Sequence, residues 1–190
     1  MTLVLISGAP GTGKTFLARQ LAEALPAVVL EKDAIKETLF DAVGEGDREW
    51  SKKLGNASFV LLRTLVESHL RAGQSVVVEA AFWSEYEAPW LDGMKEKYDF
   101  DTLELHCHAD PEIVIQRFTR RAETDERHSG HQSGMSREVL EGEIRAQLER
   151  YGPVTAGDGL VCIDTTDFTT VDYDAIVERV RAALDRRCCP

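Results

Sequence analysis

Cysteine is scarce in this sequence. Only four cysteines occur among the 190 residues, and no two of them have the C-x-x-C spacing. The missing spacing argues against a structural zinc site, and four cysteines in a chain of this length do not make a disulfide framework. His128 and His131 stand close together but have no further metal ligands nearby, so we interpret them as polar loop residues. An apolar core must therefore stabilise the chain, and its length is sufficient for one.

Long apolar runs are also missing. No segment approaches the roughly 20 apolar residues that a helix needs to span a bilayer. Met1 leads directly into an apolar stretch, without the basic segment and cleavage site of an export signal. We therefore expect a cytoplasmic protein that has no membrane partner.

Positive charge is in deficit. The chain has 22 basic and 33 acidic residues, a net charge of −11 and a pI near 4.9. A long nucleic-acid-binding surface needs clustered Lys and Arg, so this balance argues against a nucleic-acid partner. It does not exclude a single nucleotide, because the backbone dipoles of a loop can bind its phosphates.

A glycine-rich motif lies near the start of the chain. Residues 8–15 are GAPGTGKT, which fits the phosphate-binding pattern G-x-x-x-x-G-K-[ST]. The apolar stretch Leu3–Ile6 before it predicts a buried strand, and apolar residues at helical spacing follow it from Phe16 to Leu25. Glycines allow successive N–H groups to point at one anion, and the helix N terminus adds partial positive charge. A strand–turn–helix that carries glycines by chance would not also place Lys and Thr in register.

The motif predicts ATP and Mg²⁺ as cofactors. Lys14 would contact the β- and γ-phosphates as a catalytic residue, and the Thr15 hydroxyl would bind Mg²⁺. The predicted cofactor-binding residues of the loop are Gly8, Ala9, Pro10, Gly11, Thr12, Gly13, Lys14 and Thr15.

Apolar strands alternate with amphipathic helices along the chain. Because several strands are continuous apolar runs, they predict a parallel sheet that is covered on both faces. We therefore expect one α/β domain over residues 1–190, with ligands at the carboxyl ends of the strands. The predicted strands are Leu3–Ile6, Ala27–Leu30, Ser75–Ala80, Leu103–Cys107 and Leu160–Asp164.

One segment has no apolar stripe. Residues 124–136 contain two glycines and are flanked by arginines, so we interpret residues 122–137 as a mobile lid. One guanidinium group can bind two phosphate oxygens at once, which makes these arginines candidates for neutralising the charge of the transferring phosphoryl group. The alternative is a charged helix face paired with nearby glutamates. We assign Arg117 and Arg121 to catalysis, and Arg120 and Arg127 to nucleotide binding.

Two acids follow predicted strands. Asp33 comes directly after the second strand and could accept the proton of an acceptor hydroxyl or bind the metal. The alternative is an N-cap of a helix from Ala34 to Phe40. Glu79 ends an apolar strand, where a carboxylate is costly without a partner. That partner could be the metal, reached through water, or it could be the acceptor or a cation in a structural ion pair. Which of Asp33 and Glu79 serves the metal stays open.

Two further side chains are candidates for acceptor binding. Lys36 lies one turn beyond Asp33 and could hold an anionic group of the acceptor, pair with Asp33, or be a solvated surface lysine. Trp83 could line the acceptor pocket or pack in the core. His106 and His108 alternate onto one face of a strand, and we assign both to the scaffold.

These residues together resemble the small P-loop kinases of the adenylate-kinase-like class. The resemblance includes the predicted ATP-dependent kinases related to zeta-toxin and chloramphenicol phosphotransferase, and the kinase domain of phage polynucleotide kinase. It is carried by the glycine loop, by Asp33-x-x-Lys36, by Glu79 and by the arginine-flanked segment. The stretch 161–166 also resembles the strand before the last helix of such kinases, whose following loop lies against the adenine.

The resemblance implies more than the motifs alone. It implies a three-layer P-loop fold with strand order 2-3-1-4-5, Asp33 as the acceptor-side base, and closure of the Arg117–Arg127 group over ATP. Many relatives carry Arg where this chain has Lys36, which makes a polynucleotide 5′-end a less favoured acceptor.

The leading hypothesis is therefore an ATP- and Mg²⁺-dependent phosphotransferase. Its acceptor would be a hydroxyl of a small metabolite, antibiotic or sugar nucleotide. Two alternatives remain, a polynucleotide 5′-hydroxyl kinase and a nucleotide-dependent switch that hydrolyses its nucleotide only slowly.

Overall fold

The structure is a computed structural model that describes residues 1–44, 46–123, 137–148 and 150–185. Most of the predicted lid, residues 124–136 with Arg127, His128 and His131, lies outside these described residues. The elements in chain order are β1 (Thr2–Ser7), α1 (Lys14–Ala24), β2 (Val29–Glu31), α2 (Lys32–Val43), α3 (Arg48–Arg71), β3 (Val76–Glu79), α4 (Ser84–Lys97), β4 (Asp101–His108), α5 (Pro111–Glu123), α6 (Arg137–Leu148), β5 (Leu160–Asp164) and α7 (Tyr173–Leu184).

The five strands form one parallel sheet in the order β2-β3-β1-β4-β5. This confirms the predicted fold class and strand order. In the register, Leu3 of β1 lies opposite Val76 of β3 and Thr102 of β4. Because the strands are parallel, their carboxyl ends share one edge of the sheet, where β1 ends at Ser7 and β3 ends at Glu79.

Side chains along β1 point alternately to the two faces of the sheet and join a separate part of the core on each face. Leu3 and Leu5 pack with α3 and α4, whereas Val4 and Ile6 pack with α1 and α7. All four side chains are at most 2% exposed. This arrangement explains why β1 is a continuous apolar run, since both of its faces are covered.

Short polar residues fix where helices begin. Asp47 accepts a hydrogen bond from the Trp50 N–H at the start of α3, and Asp172 accepts one from Ala175 at the start of α7. At the start of α5, the Asp110 carboxylate accepts a hydrogen bond from the Glu112 N–H at 2.8 Å. These caps hold each helix at a defined point after its preceding strand or loop.

No helix in the described part of the chain has both the length and the apolar character needed to cross a membrane.

Candidate active site

The loop between β1 and α1 is shaped by close contacts that only glycine permits. Gly8 has a φ of +127°, and a Cβ there would lie 2.1 Å from the Cys107 carbonyl oxygen on β4. Gly13 has a φ of +82°, and a Cβ there would lie 2.5 Å from the ring of Phe168. The loop therefore curls tightly between β4 and the segment after β5, as a phosphate-binding loop requires.

Threonine hydroxyls hold this curl in place. Thr12 donates from its hydroxyl to the Ala9 carbonyl at 2.8 Å. The Thr165 hydroxyl, which follows β5, lies 2.7 Å from the Thr12 carbonyl and 2.9 Å from the His108 carbonyl. Thr165 therefore joins the loop to the ends of β4 and β5. This role has no signal in the sequence, because the three segments are far apart in the chain.

Lys14 is the first residue of α1, and its side chain turns back over the loop. It is 7% exposed, and its Nζ donates to the Ala9 carbonyl at 2.9 Å. The same Nζ lies 3.9 Å from Oε1 of Glu79. The N-cap of α1 is Gly13, which brings no side chain to the helix N terminus, and Thr15 lies in the first turn. A cation and a helix N terminus thus meet at the mouth of the loop.

Glu79 is a buried acid beside that cation. It is 3% exposed. Burial raises the pKa of Glu79 from 4.5 to about 7; Lys14 opposes this shift, and Asp33 and Glu31 add to it. Glu31 at the end of β2 lies opposite Glu79 at the end of β3, and Asp33 follows two residues later, so the ends of these strands bring the acids close together. Lys14 is thus an ion-pair partner of Glu79, as the structural ion-pair alternative predicted.

The raised pKa of Glu79 predicts a pH-dependent stability. A carboxyl whose pKa is higher in the folded state than in the unfolded state loses its contribution as pH rises from 4.5 to 7. We therefore expect Glu79→Gln to gain about 3 kcal/mol of unfolding free energy, relative to the parent protein, between pH 4.5 and pH 8. Urea unfolding of both proteins at a series of pH values measures this difference.

A matched control for this experiment is Glu96→Gln on the exposed face of α4. Its stability difference from the parent protein should not vary across the same pH range. If the Glu79→Gln difference were also constant from pH 4.5 to pH 8, burial would not govern the protonation of Glu79.

Asp33 lies in the first turn of α2, directly after β2. The N-cap of α2 is Glu31, with no side-chain hydrogen bond to the helix, and the helix begins at Lys32. The alternative interpretation of Asp33 as an N-cap of a helix starting at Ala34 is therefore wrong. The Asp33 side chain is 57% exposed, and its Oδ1 lies 2.9 Å from Lys32 Nζ. Its carboxylate is thus accessible to a ligand at the edge of the sheet.

The predicted metal ligands do not form a closed cage. Among the described residues, no three His, Cys, Asp or Glu side chains are grouped so that they could hold a metal ion. Mg²⁺ keeps several waters and is usually held by one or two carboxylates and the phosphates of its substrate. A site bordered by Thr15, Asp33 and Glu79 therefore suits a metal that arrives with a nucleotide. The two acids would bind such a metal through water molecules.

The two predicted acceptor-binding residues occupy different environments. Lys36 is buried, and its Nζ donates to Ser51 Oγ of α3 at 2.9 Å. The interpretation of Lys36 as a solvated surface lysine is therefore wrong. Trp83, at the start of α4, stacks on Tyr86 with 5.7 Å between ring centroids and meets Tyr151 edge-on at 6.0 Å. The aromatic group sits just beyond the end of β3.

The predicted arginines are only partly described. Arg117 of α5 donates to the carbonyls of Thr165 and Thr166, at 2.6 and 3.1 Å. Its guanidinium lies 4.1 Å from the ring centroid of Phe168. Arg120 is exposed on α5. The side chain of Arg121 is outside the described part of the structure, as is Arg127, so their roles stay predictions.

Comparison with known proteins supports this description. The family model described as AAA domain matches residues 3–153. A candidate kinase from Chloroflexus aurantiacus is 31% identical, with a TM-score of 0.86 over 96% of this chain and 98% of that chain. A sugar kinase from Janibacter is 17% identical, with a TM-score of 0.58 over 97% and 95% of the two chains. No curated protein matches the chain.

A gluconokinase from Sinorhizobium meliloti also has this fold. It is 17% identical, with a TM-score of 0.54 over 97% of this chain and 91% of that chain. At this identity the gluconokinase and the sugar kinase show the fold alone.

Proposed function

This chain belongs to the AAA domain family and is similar to small P-loop kinases, and on that premise we propose that it is an ATP- and Mg²⁺-dependent phosphotransferase. The γ-phosphate would pass to a hydroxyl group of a small molecule, such as a metabolite, antibiotic or sugar nucleotide. The observation that carries the proposal is an accessible carboxylate, Asp33, beside a phosphate-binding loop whose lysine is buried.

The chain's own groups suit the parts of this reaction. Phosphoryl transfer depends on positioning and charge neutralisation more than on covalent chemistry by the protein. Lys14 and the N terminus of α1 would hold the phosphates. Asp33 would accept or orient the proton of the acceptor hydroxyl. Mg²⁺, held by Thr15 and, through water, by Glu79, would supply charge neutralisation for the phosphates.

The nucleotide base has a matching surface on the other side of the loop. Phe168 packs against Gly13, and Arg117 lies over the Phe168 ring. Arg117 also fixes the segment after β5 through two carbonyl groups. A flat purine would stack against this group, because aromatic rings and guanidinium groups stack on π-systems. We propose that Arg117 positions the base as well as adding positive charge near the phosphates.

The lid would serve the same reaction. A kinase must keep water from the γ-phosphate, and a lid with arginines excludes water and adds positive charge when it closes. Residues 122–137, which include Arg127, and the preceding Arg120 and Arg121 would have this role.

The test is ADP release in the presence of candidate acceptors. The panel contains neutral polyols, sugar acids, nucleosides, aminoglycosides and an oligonucleotide with a 5′-hydroxyl end. We expect one small-molecule class to raise ADP release about tenfold or more above the hydrolysis background. Stimulation by the oligonucleotide alone, with steep salt dependence, would favour the polynucleotide alternative instead. ADP release that no compound stimulates would contradict the proposal and favour a nucleotide-dependent switch.

A further inference from the structure

A buried carboxylate organises the region next to the phosphate loop. Glu104 of β4 is fully buried. Its Oε1 receives hydrogen bonds from the Ser7 hydroxyl at 2.5 Å and from the Val154 N–H at 2.9 Å. Its Oε2 receives bonds from the N–H and hydroxyl of Thr155, at 2.6 and 2.7 Å. Two of these donors are backbone N–H groups, and a carboxylate can accept all four bonds. The Ser7 proton therefore points at Glu104.

This arrangement fixes the tautomer of the neighbouring histidine. Ser7 Oγ lies 2.9 Å from Nδ1 of His106. A hydroxyl has one proton, and that of Ser7 is already given to Glu104, so the Ser7 oxygen must accept from His106. Nδ1 thus carries a hydrogen. Burial lowers the pKa of His106, although Glu104 opposes the shift. The ring is therefore neutral near pH 7, and Nε2 has a free lone pair.

Nε2 of His106 faces a cavity. With Nδ1 turned to Ser7, the opposite edge of the ring borders a cavity of about 290 Å³. Within the described ranges of the chain, no residue hydrogen-bonds to Nε2, and this atom is not fully enclosed. The cavity wall includes Ala9, Thr12, His106, His108, Leu148 and Tyr151.

The cavity lies next to the phosphate loop, at the carboxyl end of β4. Its wall includes Ala9, whose carbonyl holds Lys14, and Tyr151, which contacts Trp83. Burial raises the pKa of Tyr151, and the charge of Asp33 raises it further. Through Tyr151, the cavity therefore adjoins Trp83, a candidate acceptor-binding residue.

The chemistry of the wall selects the ligand. The described residues of the wall include no Lys, Arg, Asp or Glu, and most of the wall is apolar. A lone pair on Nε2 repels the oxygens of a phosphate or carboxylate, but it accepts a hydrogen bond from a hydroxyl or N–H group. An anion would therefore meet the Nε2 lone pair and no charged side chain among the described residues of the wall, whereas an uncharged hydroxylated group would find an acceptor at Nε2.

We propose that this cavity binds an uncharged, hydroxylated part of the acceptor, and that Nε2 of His106 accepts a hydrogen bond from it. That the ligand is the phosphoryl acceptor rests on the proposed function. His106 then determines specificity by touching the substrate, and Ser7 and Glu104 are positioning residues that hold its ring.

The first experiment detects the contact without requiring phosphoryl transfer. The ¹⁵N resonances of the His106 ring are recorded at pH 7.5, first for the protein alone and then with separate probes. The probes are neutral polyols (glycerol, myo-inositol, D-glucose), nucleosides, and the matched sugar acids and sugar phosphates. We expect an unprotonated Nε2 whose resonance moves upfield with at least one neutral probe. A proton on Nε2, a response to anionic probes only, or no response to any probe would overturn the proposal.

The second experiment uses substitutions that separate the two ring nitrogens. His106→Asn keeps an amide donor near Ser7 but lacks Nε2, whereas His106→Gln places an amide near the position of Nε2. For the acceptor that stimulates ADP release, we expect His106→Asn to raise KM about tenfold. His106→Gln should restore part of this loss. His69→Asn, a half-buried position in the last turn of α3, is the control.

The two proposals fail in different ways. Acceptor-stimulated ADP release with an unchanged KM in His106→Asn would remove the cavity assignment and leave the phosphotransferase. A neutral probe that moves the Nε2 resonance without any stimulated ADP release would remove the phosphotransferase and leave a binding cavity.

Discussion

Replacing Asp33 by alanine is expected to reduce phosphoryl transfer about 10³-fold, because a positioned acid–base group contributes 10²- to 10⁴-fold to such reactions. Binding of Mg·ATP should change by no more than about twofold, since the lost carboxylate acts on the acceptor in the transition state. The side chain is 57% exposed and does not cap α2, so the fold should tolerate the change. Steady-state ADP release with the acceptor, together with calorimetric ATP binding, measures both effects.

Two further variants sharpen this experiment. Asp33→Asn keeps the shape of the side chain and should be nearly as inactive as the alanine variant, because an amide cannot take the proton. Asp41→Ala, on the exposed face of the same helix, should turn over normally. Near-normal turnover of Asp33→Ala on its true acceptor would show that the carboxylate has no part in the transfer.

Lys14→Ala is expected to abolish transfer and to weaken Mg·ATP binding by about 10²-fold or more. The side chain is buried between the Ala9 carbonyl and Glu79, so its loss removes the cation at the loop itself. The substitution also removes the cation that lowers the pKa of Glu79. We therefore expect the pKa of Glu79 to rise above its value of about 7 in this variant.

The control for Lys14→Ala is Lys95→Ala, which removes an exposed lysine from α4. It should bind Mg·ATP as the parent protein does. Calorimetry and ADP release are measured for both variants at the same ionic strength, because phosphate binding is sensitive to salt. Unaltered ATP binding by Lys14→Ala would mean that the loop does not hold the β- and γ-phosphates.

Much of the fold follows from local patterns. The predicted strand Leu160–Asp164 has the same bounds in the structure, and the other four predicted strands overlap their observed counterparts. Continuous apolar runs identified the central strands correctly because both faces of this sheet are covered. The predicted start of α2, Ala34, lies two residues after the observed start, Lys32. Glu31 ends β2 and is the N-cap of the helix without a side-chain hydrogen bond, so no capping side chain marks this start.

The parts that sequence analysis missed depend on contacts between distant segments. Lys36 is buried because α3 supplies Ser51 as its partner. Arg117 meets carbonyls nearly 50 residues later in the chain. The strand pattern assigned His106 to the scaffold. The tautomer of its ring follows from its contact with Ser7, whose hydroxyl is in turn bonded to Glu104. No local periodicity reports such pairings, whereas the glycine motif is local and was visible from the start.

Titration of the folded parent protein with Mg·ATP and Mg·GTP, followed by calorimetry, tests the central claim most directly. The loop that starts at Gly8 should take up one nucleotide per chain, and the complex with Lys14→Ala should be far weaker. The contradicting result is that neither nucleotide gives a heat of binding at several temperatures and that a fluorescent ATP analogue also fails to bind. The phosphate-binding role of this loop would then be wrong.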